Sequence, residues 1–204
     1  MDTGFNFQYH PKALALVAHP DDEVIWMGGT ILRYSQWRWT IFSLSRASDK
    51  DRAPKFRRVC RFLGAKPKIA DWDDERDLSL DYLVKTAKNI IAKGLNRQKF
   101  DLIFTHGING EYGHSRHRAL HQAVRQMLKE EKLKTKQIFF FHYRKQFYHR
   151  IFSPMLPKKH PDITIKLTPQ EFKRKCEIMV KIYGFSSQGP DVGYCTSEEA
   201  FKEL

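Results

Sequence analysis

The sequence predicts an α/β protein: a three-layer α/β/α sandwich on a mostly parallel sheet, in one domain over residues 1–204. Three observations predict it. Apolar runs of strand length alternate with amphipathic stretches of helical period along most of the chain. No repeat, low-complexity tract or linker breaks that alternation. The chain has 204 residues, 41% hydrophobic and 29% charged, the length and composition of an ordinary soluble domain able to bury its own core.

In order, KALALVAH from Lys12 reads as a first buried strand and VIWMGGTILRYSQW as a helix, with Gly28 and Gly29 allowing close packing. WTIFSLS is a second strand, and APKFRRVCRFLGA a helix closed by Gly64. KPKIADWDD is a short third strand that runs into an acidic turn. LDYLVKTAKNIIAKGL carries one apolar stripe at helical spacing. FDLIFTHG is a fourth strand, HRALHQAVRQMLKEEK a helix, KQIFFFHYR a fifth strand, and ITIKLT a sixth at an edge. TPQEFKRKCEIMVKIYG opens with a capping box, Thr168 and Glu171, and Pro169 at the first helical position. The segment PMLPKKHPD reads as a surface loop near the site. The closing stretch from Ser186 has little periodicity and is expected to drape over the body.

Nothing at the N-terminus has the continuous apolar region of a signal peptide, and no apolar run reaches the length of a membrane span. With only Cys60, Cys176 and Cys195, unpaired in motif, a reduced cytoplasmic location is the simplest reading. The formal charge is +13. It reads either as attraction to an anionic partner or as a solvated basic surface. KTKQIFFFHYRKQFYHR mixes basic and aromatic residues, but a strand with a basic outer face explains it, and no nucleic-acid partner is expected. GxSxG and P-loop motifs are absent from the sequence. A homo-oligomer is left open.

Two loops carry chemistry. AHPDDE, residues 18–23, sits where the first strand stops. Pro20 biases His19 towards extended backbone and suits the first turn of the next helix. Asp21, Asp22 and Glu23 then fall at a helix N-terminus, where negative charge is favoured. Any one of them could be a cap, but an imidazole and carboxylates packed together at a strand end make a metal corner, placed where open α/β sheets bind ligands. HGINGEYGHSRHRALH, residues 106–121, follows the fourth strand. Its glycines permit an irregular loop. His114 and His117 stand three apart and share a face. His121 packs underneath. Together the loops supply three N/O ligands for zinc, with a further aspartate and histidine left for acid–base work.

AHPDDE and GEYGHSRH, about 90 residues apart, resemble the signature of the PIG-L/LmbE-like deacetylases, and the likeness extends over most of the chain. The resemblance implies a Rossmann-like fold and zinc-dependent removal of the N-acetyl group from an N-acetylglucosamine-type sugar or conjugate. Zn2+ would be held by His19, Asp22 and His117, with Asp21 as general base. His114 would be the oxyanion-stabilising or acid histidine, beside Tyr112. Asp74, more than Asp73, occupies the family's loose substrate-binding position. Arg52 and Arg46 could meet a sugar hydroxyl or phosphate, and the basic charge points towards an anionic conjugate. Trp26 and Trp72 read as core more than as sugar platforms. Many members have HPDH where this chain has HSRH. Arg116 therefore either points away or leaves His114 a neutral donor. Two rivals stand beside this reading: a non-catalytic metal- or anion-binding protein on the same scaffold, and a zinc hydrolase of a different amide.

Overall fold

The computed structural model describes residues 4–146 and 154–204. Its centre is a seven-stranded sheet. β1 (Lys12–Val17), β2 (Arg38–Ser43), β3 (Lys66–Ile69), β4 (Phe100–Thr105) and β5 (Thr135–Phe141) are parallel. In space they follow the order β3-β2-β1-β4-β5. β6 (Tyr143–Lys145) and β7 (Met155–Pro157) pair antiparallel in a separate two-stranded sheet. β8 (Ile163–Lys166) forms the far edge, and β9 (Glu198–Glu203) is inserted antiparallel between β5 and β8.

The strands are apolar on both faces because both faces are covered. In β1, Ala13, Ala15 and Val17 enter one apolar layer while Leu14 and Leu16, with Ala18 just after the strand, enter the other. The first layer is closed by α1 (Asp22–Arg33), α2 (Arg52–Phe62) and α6 (Pro169–Ile178), the last continued by a π-helical turn at Met179–Tyr183. The second is closed by α3 (Leu80–Leu95) and α5 (Ser115–Lys129), which pack on each other. The remaining helices, α4 (Gly110–Gly113) and α7 (Pro190–Gly193), are single turns. This is the three-layer, mostly parallel sandwich expected.

Local signals explain the boundaries. α3 begins where the Ser79 hydroxyl accepts from Tyr82 N–H and ends with Asn96 in left-handed backbone. α6 has the expected capping box. Gly64 ends α2 at φ +68°. A Cβ on Gly29 would lie 2.3 Å from a Leu167 methyl, so that glycine does permit close packing. The aromatic run of β5 is core: Phe139 and Phe141 serve one layer, Ile138 and Phe140 the other. The end of the basic–aromatic stretch, residues 147–150, lies outside the described residues.

Three expectations are corrected. The chain after Ser186 does not merely drape: it forms α7 and then β9 inside the sheet. Its strand pattern was hidden because a core position of β9 carries a charge. Buried Glu199 pairs with buried Lys175 at 2.7 Å and also accepts from Gly29 N–H, Thr30 N–H and the Thr30 hydroxyl. Part of PMLPKKHPD is β7 rather than loop. Pro20 stands outside α1. Asp21 occupies the N-cap position at φ 117°, and the helix starts at Asp22.

Candidate metal centre

The strand order reverses between β1 and β4, so the chain leaves these neighbours towards opposite faces and opens a crevice beyond their carboxyl ends. The AHPDDE loop leaves β1 there and the GEYGHSRH loop leaves β4 there. This is how residues nearly a hundred positions apart meet.

His19, Asp22 and His117 converge. His19 Nδ1 lies 3.2 Å from Asp22 Oδ2, His117 Nε2 lies 3.3 Å from His19 Nδ1, and His117 Nε2 lies 3.4 Å from Asp22 Oδ1. Tetrahedral zinc with N/O ligands near 2.0–2.2 Å requires ligand separations of about 3.3–3.6 Å. Asp22 is buried and fixed by the His19 N–H and the Trp26 indole N–H. Burial opposes its ionisation, yet His117 and His106 hold its carboxyl well below the usual range. Burial likewise opposes a charge on His117, yet Asp22 and Glu111 push that imidazole up to about 10. The cluster therefore calls for positive charge, as a proton or a metal ion, between its carboxylates. His117 is shared by two further donor sets, with His19 and His114 and with Asp22 and His106.

Asp21 adjoins the cluster without joining it. Its backbone lies in a region costly for a non-glycine residue. It is held there by its N–H to Glu23 Oε2, 3.0 Å, while Glu23 Oε1 accepts from the buried Tyr183 hydroxyl, 2.5 Å. Burial and then Asp22 raise the Asp21 pKa well above the usual range, against the opposing pull of Arg52, whose Nη1 is 3.3 Å away.

His114 stacks on His117 with ring centroids 4.6 Å apart, and Tyr112 meets it edge-on at 5.7 Å. Burial, then His117 and His19, lower the His114 pKa to about 3, so the ring is neutral. Its Nδ1 accepts from Arg116 N–H, which leaves the ring proton on Nε2. Arg116 does point away: its guanidinium binds the carbonyls of Asp73 (3.0 Å) and Arg76 (2.5 Å), tethering the acidic turn after β3. The first alternative is the one seen, and burial and neighbouring imidazoles, not Arg116, account for the neutral ring. His121 packs underneath, bonded to the His106 carbonyl at 2.9 Å.

A cleft of about 400 Å³ opens over this cluster, lined by six aspartates and two arginines. Asp74 and Arg52 both line it. Asp74 is paired with Arg46 at 2.8 Å, and Arg52 lies over the Phe185 ring. The +13 charge is not expressed here. Trp26 is buried but reaches the cleft wall, near-parallel to Tyr194, while Trp72 is core, bonded to Thr86.

Sequence reasoning missed four participants. His106 and Glu111 form a buried network with His117. The signals available were a histidine directly after β4 and a glutamate alone in a glycine-rich loop. Asp191 and Tyr194 complete the cleft wall from α7 and the residue after it, with no local signal at all.

Fold and site define an LmbE-like α/β protein with a histidine–carboxylate cluster at the switch point of its sheet. The family described as GlcNAc-PI de-N-acetylase, PIG-L, matches residues 14–128, more than half of the chain, and the chain belongs to that family. The N-acetylglucosaminyl-phosphatidylinositol de-N-acetylase of Bos taurus is 29% identical over 132 residues, covering 60% of this chain and 52% of that protein. An uncharacterised protein of Acanthamoeba polyphaga mimivirus is 24% identical over 131 residues, covering 56% of this chain and 57% of its own. The chain thus spans little more than half the length of these curated relatives. Among solved structures, N,N'-diacetylchitobiose deacetylase from Pyrococcus horikoshii superposes with TM-score 0.63 at 16% identity, covering 98% of this chain and 87% of its own. The 4-carboxy-2-hydroxymuconate hydratase GalB from Pseudomonas putida superposes with TM-score 0.62 at 13% identity, covering 95% and 96%. At such identities the likeness is one of fold, and that fold carries more than one chemistry. No helix among the described residues is long and apolar enough to cross a membrane.

Proposed function

We propose that the chain is a zinc-dependent hydrolase that removes the N-acetyl group from an N-acetylglucosamine-type sugar or conjugate and releases acetate. The observation that carries this reading is the convergence of His19 Nδ1, His117 Nε2 and the two Asp22 carboxylate oxygens, one facing each imidazole, at contacts of 3.2–3.4 Å, with a further aspartate beside them. These residues would hold zinc, which when bound supplies Lewis acidity towards the amide carbonyl.

The chain's own residues do the rest. Asp21, partly buried and fixed by Glu23 and Arg52, takes the proton of the attacking water. Its raised pKa suits a base that must later return a proton. His114, neutral with its proton on Nε2, donates a hydrogen bond where the acetyl oxygen gains charge, and Tyr112 supports it. Asp74 and Arg52 bind the sugar at the cleft wall. Because that wall is acidic, the part of the sugar inside it is neutral and presents hydroxyls, with any phosphate lying beyond the cleft.

The test is an acetate-release screen over N-acetylated sugars, paired with metal analysis. About one zinc per chain and chelator-sensitive acetate release on a neutral N-acetylglucosaminide are expected. No stoichiometric metal would overturn the reading in favour of a non-catalytic scaffold. Metal with release from other amides only would keep the hydrolase and change its substrate.

A further inference from the structure

Glu111 lies on a turn no side chain adopts cheaply, at φ 55° and ψ −62°, with its carboxylate fully buried. One oxygen, Oε1, accepts from Gly107 N–H at 2.8 Å. The other, Oε2, lies 2.8 Å from His106 Nδ1 and 2.6 Å from His117 Nδ1. The two imidazoles are stacked, centroids 3.8 Å apart.

Backbone geometry fixes where the protons are. Ala18 N–H, at the end of β1, points at His106 Nε2 from 3.1 Å. A backbone N–H only donates, so His106 Nε2 carries a lone pair. Asp22 Oδ2 is 3.4 Å from that nitrogen, beyond the range of a good N–H···O bond. The His106 proton therefore sits on Nδ1 and is donated to Glu111 Oε2. Glu111, accepting at both oxygens, reads as a carboxylate, and His117 then donates to it from Nδ1 as well. When a metal ion takes the place of the second proton on this ring, its Nε2 faces His19 and Asp22 with a lone pair.

We propose that Glu111 is a positioning residue: through His106 it transmits the orientation of the Ala18 N–H to His117 and fixes that ring as the Nδ1–H tautomer, so that Nε2 is the metal-ligating atom. A strained backbone is tolerated here because it delivers one carboxylate to two imidazoles. Outer hydrogen-bond partners of this kind change metal affinity by about 10–100-fold when removed. The inference rests on the proposed zinc site.

The experiment compares zinc affinity, by competition with a chromogenic chelator, in the wild-type chain and in Glu111→Gln and Glu111→Ala, with circular dichroism as the check on folding. Glu111→Gln preserves shape but places an NH2 donor against imidazole nitrogens that must themselves donate. A loss of about 10–100-fold in Glu111→Gln, similar to Glu111→Ala, is expected. A merely space-filling role would leave Glu111→Gln within twofold of wild type and overturn the proposal. A second measurement needs no variant. Long-range ¹⁵N–¹H correlation on the zinc-loaded wild type is expected to show His117 protonated at Nδ1, and zinc ligated through Nδ1 would overturn the assignment. A wild-type chain that binds no zinc removes the zinc reading itself, an outcome distinct from normal zinc binding with an unaffected Glu111→Gln.

Discussion

Replacing Asp21 with asparagine separates two roles that adjacent carboxylates could share. Asp22 turns one oxygen to His19 and the other to His117, whereas the Asp21 carboxylate is paired with Arg52 Nη1 at 3.3 Å. The amide is isosteric and its oxygen still accepts from Arg52, and the backbone bond from Asp21 N–H to Glu23 is untouched. What disappears is the capacity to take a proton. General-base assistance contributes about 10²–10⁴ in rate, or about 3–5 kcal/mol of barrier at 1.36 kcal/mol per decade. Asp21→Asn is therefore expected to retain about one zinc per chain while acetate release falls by that factor.

Its stability should move the other way. Burial and Asp22 both oppose a charge on Asp21, so a neutral amide leaves the melting temperature equal to or above that of the wild type. The assays are metal content by emission spectrometry, acetate release at saturating substrate, and thermal melting. Turnover above a third of wild type would refute the base assignment. Zinc lost in step with activity would make Asp21 a ligand and break the geometric argument as well.

Three more expectations follow from charge placement. Arg52→Met removes the cation that pulls the Asp21 pKa down, so the acid limb of the pH–rate profile should move to higher pH; an unmoved limb disconnects Arg52 from the base. Lys175→Met leaves Glu199 buried with only neutral donors, a change expected to cost about 3–5 kcal/mol in urea melts, and a loss below about 1 kcal/mol contradicts the pairing. Arg33 and the Thr168 cap hold Glu171 down to about 2 from the usual 4.5. Its contribution to stability is complete above about pH 4.5 and is lost as pH falls towards 2. The stability deficit of Glu171→Gln against wild type should accordingly shrink over that window in denaturant titrations.

What the sequence made legible follows from how local the physics is. β1, α3 and β4 were readable because an apolar period specifies a strand or a helix from neighbouring residues alone. The His19–Asp22 corner was readable for the same reason, since it lies within four consecutive residues. β9 was not, because Glu199 takes a core position that only a distant lysine makes tolerable. Asp191 and Tyr194 reach the cleft through the placement of that same segment, so their part in the wall depends on a long-range pairing that no short window contains.

Arg116 shows how a local departure misleads when chemistry is read by analogy. In HSRH it departs from the HPDH of the signature that the sequence resembles, which suggests an electrostatic effect on His114. The structure spends the guanidinium on two carbonyls of the acidic turn after β3. His114 is instead kept neutral by burial and by its imidazole neighbours, and its tautomer is set by the Arg116 backbone N–H rather than by its side chain. The side chain can thus vary while the main-chain donor persists. Arg116→Met should loosen the turn carrying Asp73 and Asp74 and raise KM, while the pH dependence of kcat stays that of the wild type. A shifted kcat profile would show that the guanidinium acts on the imidazole after all.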